Sequence, residues 1–465
     1  MGTKPKKDLK QVQDQYLDYP YPTRDPDDDK KRVLRIEADF LAQINHYLYK
    51  GKQDFKNGFR VLVAGGGTGD STVWLAKQLM EYPNAEVVYL DFSKVSMGIA
   101  KKRAINQGVT NITWIEDSIL NIPDLGLGKF DYVNCVGVLH HLKNPDLGLR
   151  ILSDVLKEDG GAMIMVYGQY GRTGIYHTQE LLRMTGKGVE DRQEEVDSAW
   201  DVINSLPKTN WAIRGSELQD DVARLLACLY KGDEGQSYDE GNDIELYDLL
   251  LHKQDRAYTI PQLYELIENA DMNVVEFTEP HVRAILNIES YFKDSDTKER
   301  IKEMPLKEQQ AICELMSGNV VKHSLWISKQ KNTAAIFDDL DNIPVMFNAG
   351  GIAKKIVDFI EKNESQVMNK VIPYTFQKHM NLSFSISFHT KSLFKFLDAG
   401  DKTFHEIFEL VRQDTNSKAS DQQLWDELIV NLAPLCSVGA LLLRHKSIRP
   451  FNNFYEEANQ KKYSS

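Results

Sequence analysis

Short apolar runs alternate with amphipathic stretches across residues 58–168. The runs at Val61–Ala64, Glu86–Leu90, Asn111–Ile115, Phe130–Leu139 and Gly160–Tyr167 read as strands. Helix-like segments begin near Ser71, Ser93 and Pro145, with stops at Tyr82-Pro83-Asn84, Gly108 and Gly160. This alternation predicts an α/β fold, a parallel sheet covered by helices on both faces. Upstream, Val33, Leu34, Ile36, Phe40, Leu41, Ile44 and Leu48 recur at helical spacing, so an amphipathic helix is expected from Asp27–Asp29 to Gly51. Downstream, Ile175, Leu181, Leu182 and Met184 share one helical stripe, and residues 190–245 are rich in Asp, Glu and Gln. A helical insertion over about 171–260 with an acidic loop is expected there. Strand periodicity returns at Asn273–Phe277 and His323–Ser328, Lys329–Thr333 reads as a linker, and amphipathic helices then lead to the apolar run Ala440–Leu443.

Composition narrows the class. At 465 residues the chain is long enough for two or three domains. No window reaches the apolar length of a membrane span, and the polar first residues lack a signal-peptide core. The four cysteines, Cys135, Cys228, Cys313 and Cys436, lie far apart and form neither a metal-ligand spacing nor a disulfide framework. No metal site is expected, and a reducing, cytoplasmic setting fits. A net charge of −12 disfavours a broad phosphate-binding face, so nucleic acid is not an expected partner.

The chemistry concentrates after the first strand. Gly65-Gly66-Gly67-Thr68-Gly69 places glycine at every second position between a strand and a helix. Glycine serves where backbone must turn with positive φ and approach a ligand closely. Asp91 closes the second strand, where a carboxylate accepts hydrogen bonds from ribose hydroxyls. The spacing G-x-G-x-G differs from the dinucleotide fingerprint, and a Walker lysine is absent.

With Asp91, the Asp117-Ser118 pair after the third strand and Leu139-His140-His141-Leu142 after the fourth, this pattern resembles the class I S-adenosylmethionine (SAM) methyltransferases. The resemblance implies a Rossmann-like seven-stranded sheet, with Asn273–Phe277 and His323–Ser328 as its antiparallel edge hairpin, and SAM as cofactor. Gly65, Gly67 and Gly69 would approach the methionine end, Asp91 the ribose, and Asp117 with Ser118 the adenine edge; Asp117 as a helix N-cap is the competing reading. Phe92 could stack on adenine, and Asn134 is a further polar candidate. Many family members carry an acid where Val63 stands, so part of the contact to the methionine amino group must come from elsewhere.

His140 and His141 stand where a proton acceptor beside the methyl group would be needed, with structural packing as the alternative role. The run Gln15-Tyr16-Leu17-Asp18-Tyr19-Pro20-Tyr21-Pro22 and the stretch Leu250-Leu251-His252-Lys253-Gln254-Asp255-Arg256-Ala257-Tyr258-Thr259 are similar to segments of one group of bacterial methyltransferases. Tyr16 and Tyr21 would then belong to a lid, and His252, Asp255, Arg256 and Tyr258, with Tyr170, to the acceptor side. The alternative for the second stretch is a charged helix start, with Thr259 as N-cap and Pro261 in the first turn.

These features imply an arm at 1–29, a SAM-dependent methyltransferase domain at 30–330, and a mainly helical, winged-helix-like interaction domain at 335–465 that could form a homodimer. The C-terminal part loosely resembles regulatory modules appended to bacterial methyltransferases, including a group acting on protein lysines. A protein side chain is the favoured acceptor. Small-molecule O- or N-methylation and an inactive methyltransferase-like scaffold are the alternatives.

Overall fold

The computed structural model describes residues 21–189, 191–207, 209–211, 246–252, 254–347, 351–377, 380–397 and 400–451. The chain divides into two compact units. The first comprises the segment up to Ile36, Gly58–Val274 and Ile285–Lys329; the second comprises Glu37–Asn57, Val275–Ala284 and Gln330 onward.

A seven-stranded sheet has the order β3-β2-β1-β4-β5-β7-β6, and all of it but Val275–Phe277 of β6 belongs to the first unit. Its strands are β1 (Arg60–Ala64), β2 (Glu86–Asp91), β3 (Ile112–Glu116), β4 (Phe130–Val136), β5 (Leu156–Tyr167), β6 (Asn273–Phe277) and β7 (Lys322–Ser328). β1 lies between β2 and β4, parallel to both, with Leu62 opposite Val88 and Val133. β7 runs antiparallel to β5. The central strands are apolar on both faces, as helix-covered parallel strands must be. The strand order reverses beside β1, and in such sheets the crevice beyond the carboxyl ends at that point receives the ligand.

Local sequence explains the helix starts. Ser93 caps Lys94–Asn106 by accepting from the Ser96 amide, and Asn144 caps Pro145–Val155 by accepting from the Leu147 amide. That second helix ends at Val155 rather than at Gly160, because β5 begins at Leu156. In the insertion, helices Thr173–Thr185 and Arg192–Asn204 and a π-turn at Tyr247–Leu251 share a core of Ile175, Leu182, Val196, Trp200 and Leu250. The expected acidic loop falls mostly on residues 212–245, outside the described residues.

The long helix expected from Asp27 to Gly51 does not form. Single 3-10 turns at Pro26–Lys30 and Glu37–Asp39 precede an α-helix at Leu41–Leu48. Asp29 is drawn inward onto the Arg103 guanidinium at 2.6 Å, a buried pair that outweighs the amphipathic pattern. The segment also passes from one compact unit to the other at Ile36.

The second unit mixes helices with two antiparallel pairs, β8 (Asn342–Met346) with β11 (Leu441–His445) and β9 (Val371–Gln377) with β10 (Met380–Ser385). Helices Ile352–Val367, Thr390–Leu397, Phe404–Thr415 and Asp421–Ser437 bury Phe384, Phe394, Phe404, Phe408 and Leu428. Capping boxes start the last two helices, Thr403 with Glu406 and Ser420 with Gln423. Among the described residues no helix is long and apolar enough to cross a membrane.

Gly69 precedes the first residue of helix Asp70–Leu79 with φ +99°, and a Cβ there would lie 2.7 Å from Ala100 Cβ. Gly69→Ala should therefore cost about 1–3 kcal/mol through the left-handed backbone and the contact. A urea titration should show a lower midpoint at constant slope. An unchanged midpoint would show that the helix carrying Ala100 moves away freely.

Candidate functional site

One cavity of about 660 Å³ lies beyond the carboxyl ends of β1 to β5. One side is built by Gly65, Gly66 and Gly67 after β1, Asp91 and Phe92 at β2, and Asp117 and Ser118 after β3. Gly65 has φ +76°, and a Cβ on it would stand 2.3 Å from the Val138 side chain. A Gly66 Cβ would strike the Tyr89 ring, whose hydroxyl donates to the Gly67 carbonyl at 2.8 Å. The loop is thus pressed between two side chains, and only glycine fits.

Asp91 organises this side. Its Oδ2 accepts from the Gly67 amide at 2.8 Å and its Oδ1 from the Ser93 amide at 2.7 Å. Burial pushes its carboxyl upward from the usual range, and the two backbone donors oppose that shift. Each carboxylate oxygen has a second lone pair available to a ligand. Asp117 Oδ1 accepts from the Ser118 amide and Asn121 Nδ2, both at 2.7 Å. Ser118, not Asp117, is the N-cap of the following 3-10 turn. Gly69 is absent from the cavity wall; its role lies in the helix start described above.

The N-terminal segment closes over the glycine loop. Tyr21, Pro22 and Arg24 line the cavity, and Thr68 Oγ1 donates to the Pro22 carbonyl at 2.7 Å. Arg24 clamps Asp70 through two bonds of 3.0 and 2.8 Å. Arg103, 1% exposed, donates to Asp29, Asp70 and the Thr68 carbonyl at 2.6, 2.6 and 2.9 Å. Burial alone would raise the Asp70 carboxyl, but Arg24 and Arg103 outweigh it and hold it below the ordinary range. Tyr16 lies outside the described residues. Arg24, Asp70 and Arg103 were not singled out in the sequence. Asp70 sits directly after the glycine run, a signal that was available.

The opposite side is lined by Asn134, Val136, Gly137, Val138, His141, Lys143, Met165, Tyr167, Arg172, Ile175, Leu249, Gln254, Val321 and Lys322. The two histidines occupy different places. His140 is fully buried against the Tyr167 ring, centroids 4.0 Å apart. Burial, then the neighbouring His141, Arg172 and His252, hold His140 well below the ordinary histidine range. It stays neutral at physiological pH and does not line the cavity. His141 does line it. Its Nδ1 meets the Gln254 carbonyl at 2.9 Å; in the neutral ring this nitrogen donates and the lone pair is left on Nε2, a tautomer assigned from the partner.

Of the expected acceptor residues, Tyr170, His252, Asp255, Arg256 and Tyr258 are not in the wall. His252 stacks behind His141 at 3.8 Å, and its Nδ1 accepts from the Gln254 amide at 3.1 Å. Burial and then His141 lower His252 to about 2. Asp255 Oδ2 takes Gln179 Nε2 at 3.2 Å and lies 3.8 Å from Arg172. Arg256 is exposed; Tyr258 is buried, exchanging backbone hydrogen bonds with Tyr167 and Gln169. Thr259 and Gln262 form the capping box of helix Ile260–Asn269. Tyr170 turns the chain, its carbonyl accepting from Thr173. The guanidinium in the wall belongs to Arg172, stacked 3.5 Å over Tyr167.

Arg24→Gln keeps a polar side chain but loses the two-pronged clamp on Asp70. Limited proteolysis should cleave faster before Pro26, with SAM affinity several-fold weaker and the melting temperature little changed. Asp70 has a depressed folded value, so its contribution is fully present above about pH 3.9, the unfolded value, and is lost as pH falls through the folded one. Faster cleavage of the wild type should therefore begin only below that pH; cleavage unaffected by substitution or acid would show that the salt bridge does not hold the arm.

Residues 62–162 match the family model described as a methyltransferase domain. An uncharacterized protein of Synechococcus sp. is 27% identical over 287 residues, covering 61% of this chain and 63% of that protein. A ubiquinone biosynthesis O-methyltransferase of Vibrio campbellii is 27% identical over 208 residues, 41% of this chain and 86% of that one. The structure of PKMT2 from Rickettsia typhi superposes with a TM-score of 0.60 at 18% identity, covering 88% of this chain and 76% of the other. That likeness extends to the fold. The chain spans less than two thirds of the Synechococcus relative. The glycine loop, its paired acids and the matched family model lead to one conclusion: the seven-stranded sheet carries a SAM-dependent methyltransferase domain.

Proposed function

We propose that the chain transfers the methyl group of SAM to a hydroxyl of an apolar small molecule. The observation that carries this reading is the division of the cavity wall. Asp70, Asp91 and Asp117 lie on the glycine-loop side, whereas Met165, Tyr167, Ile175, Leu249 and Val321 lie opposite, accompanied by Lys143, Arg172 and Lys322. An apolar wall with cationic groups and no carboxylate suits an apolar acceptor with a neutral or anionic nucleophile better than a lysine ammonium. The similarity to an O-methyltransferase over most of that protein's length points the same way.

The cofactor would be held by Gly65, Gly67, Asp91, Phe92, Asp117 and Ser118, and Asp70 with Arg24 would replace the acid that Val63 lacks. When bound, SAM supplies a sulfonium methyl already activated for displacement. The chain's own residues supply alignment, exclusion of water and handling of the acceptor proton. His141 is the group for the last task, since it lines the cavity and its neutral ring keeps the lone pair on Nε2; the His140 and His252 rings pack against it. Tyr21 and Pro22 act as the lid.

A protein side chain is the second reading. Its support is the second unit, whose helices and two-stranded pairs suit a winged-helix-like interaction module.

Calorimetry and a radiolabelled-methyl assay on fractionated cell lysate test both readings. Label should enter the small-molecule fraction; label in protein alone would overturn the first reading. Asp91→Asn places an amide donor against the Gly67 or Ser93 amide and should weaken SAM by about 1.5–3 kcal/mol. His141→Gln should lower turnover at least tenfold with SAM affinity unchanged. Loss of SAM affinity in that variant would move His141 to the cofactor side.

A further inference from the structure

The cluster behind the acceptor wall is not exhausted by buttressing. A nitrogen of His140, a nitrogen of His141 and a carboxylate oxygen of Asp255 lie no more than 4.8 Å from one another. His140 is fully buried, with the Met165 backbone as its one hydrogen-bonding contact named among the described residues. The Asp255 side chain is 2% exposed and faces Gln179, Tyr176 and Arg172. Two imidazoles and a carboxylate gathered this closely in a buried place, with few hydrogen bonds to share, form a donor set that one bound cation would satisfy jointly.

We propose that His140, His141 and Asp255 bind a divalent transition-metal cation of the zinc type at the acceptor end of the cavity. Two imidazoles and one carboxylate are a donor set for Zn²⁺, Fe²⁺ or Co²⁺ rather than Mg²⁺ or Ca²⁺, which prefer all-oxygen sites. Metal–ligand bonds of about 2.0–2.2 Å need donor atoms somewhat closer than the present limit, a change that small side-chain rotations provide.

The surroundings fit. His141 holds its Nδ1 against the Gln254 carbonyl, the outer hydrogen bond that metal-bound histidines use to fix ring and tautomer. Asp255 is held through its other oxygen by Gln179. Arg172, 3.8 Å from Asp255 Oδ2, is the present counter-charge, and the ion would approach the Oδ1 side. Three protein ligands leave positions open, and His141 borders the cavity. There the ion would hold an acceptor hydroxyl or thiol as its anion, with the released proton passing to solvent; in that state the His141 lone pair is bound to the ion, and the ion takes over the proton-handling task given to His141 above.

Only that last role rests on the proposed methyl transfer; metal uptake is measured without SAM. Full-length protein stripped with a chelator should take up one equivalent of Co²⁺, with visible d–d absorption, and of Zn²⁺ by calorimetry. Asp255→Asn and His140→Gln should each weaken uptake tenfold or more while SAM affinity, a check on folding, holds. His445→Ala, in the other described cluster of Asp339, Asp341 and His445, should leave uptake unchanged. No uptake by the wild type, unaltered uptake in both cluster variants, or uptake lost with His445 would overturn the proposal.

Discussion

The buried guanidinium of Arg103 is the interaction on which the cofactor side of the cavity depends. It reaches the N-terminal segment through Asp29, the glycine loop through the Thr68 carbonyl and the next helix through Asp70. A charge with 1% exposure is tolerable only when its donors are matched in this way. Removing one partner would leave the others charged and dehydrated, a penalty of about 3–5 kcal/mol for such a break. The turn carrying Asp29 is therefore tied to the glycine loop through one guanidinium. Asp91 extends the same linkage across the sheet by binding the Gly67 amide and the Ser93 amide at once, so loop and second helix start are set together.

Much of the first unit was legible because its signals are local. Strand–helix alternation, the glycines at positive φ and the serine and asparagine caps are decided within a few residues of chain. The seven-stranded sheet and its β5-β7-β6 edge follow the resemblance drawn from those motifs. The helix expected from Asp27 to Gly51 failed for the opposite reason. Its apolar spacing is real, but Asp29 answers to Arg103, 74 positions away, and no periodicity carries that information.

The same distinction separates the site residues. Asp91, Asp117 and Ser118 stand directly after strand ends, where sequence position almost dictates placement. Arg172 and Arg256 are equivalent to the eye of a sequence reader, each a lone arginine near tyrosines. Only the fold shows that Arg172 stacks on Tyr167 inside the wall while Arg256 is exposed. Pairing of the two histidines was visible; their division was not, since it depends on which ring the Tyr167 side chain covers.

The His252–Tyr258 stretch lies outside the cavity wall but is tied to it through the backbone. Tyr258 donates its amide to the Tyr167 carbonyl and accepts from Gln169, adding one bridge to the sheet where β5 ends. That bridge fixes the loop carrying Gln254, whose carbonyl orients His141 and whose amide orients His252. Asp255 follows in the same turn, under Gln179. The Gln254 carbonyl sets the tautomer of the histidine that borders the cavity, four residues from this backbone attachment. Of the residues read from the sequence as acceptor contacts, His252 and Asp255 stand directly behind His141, outside the wall.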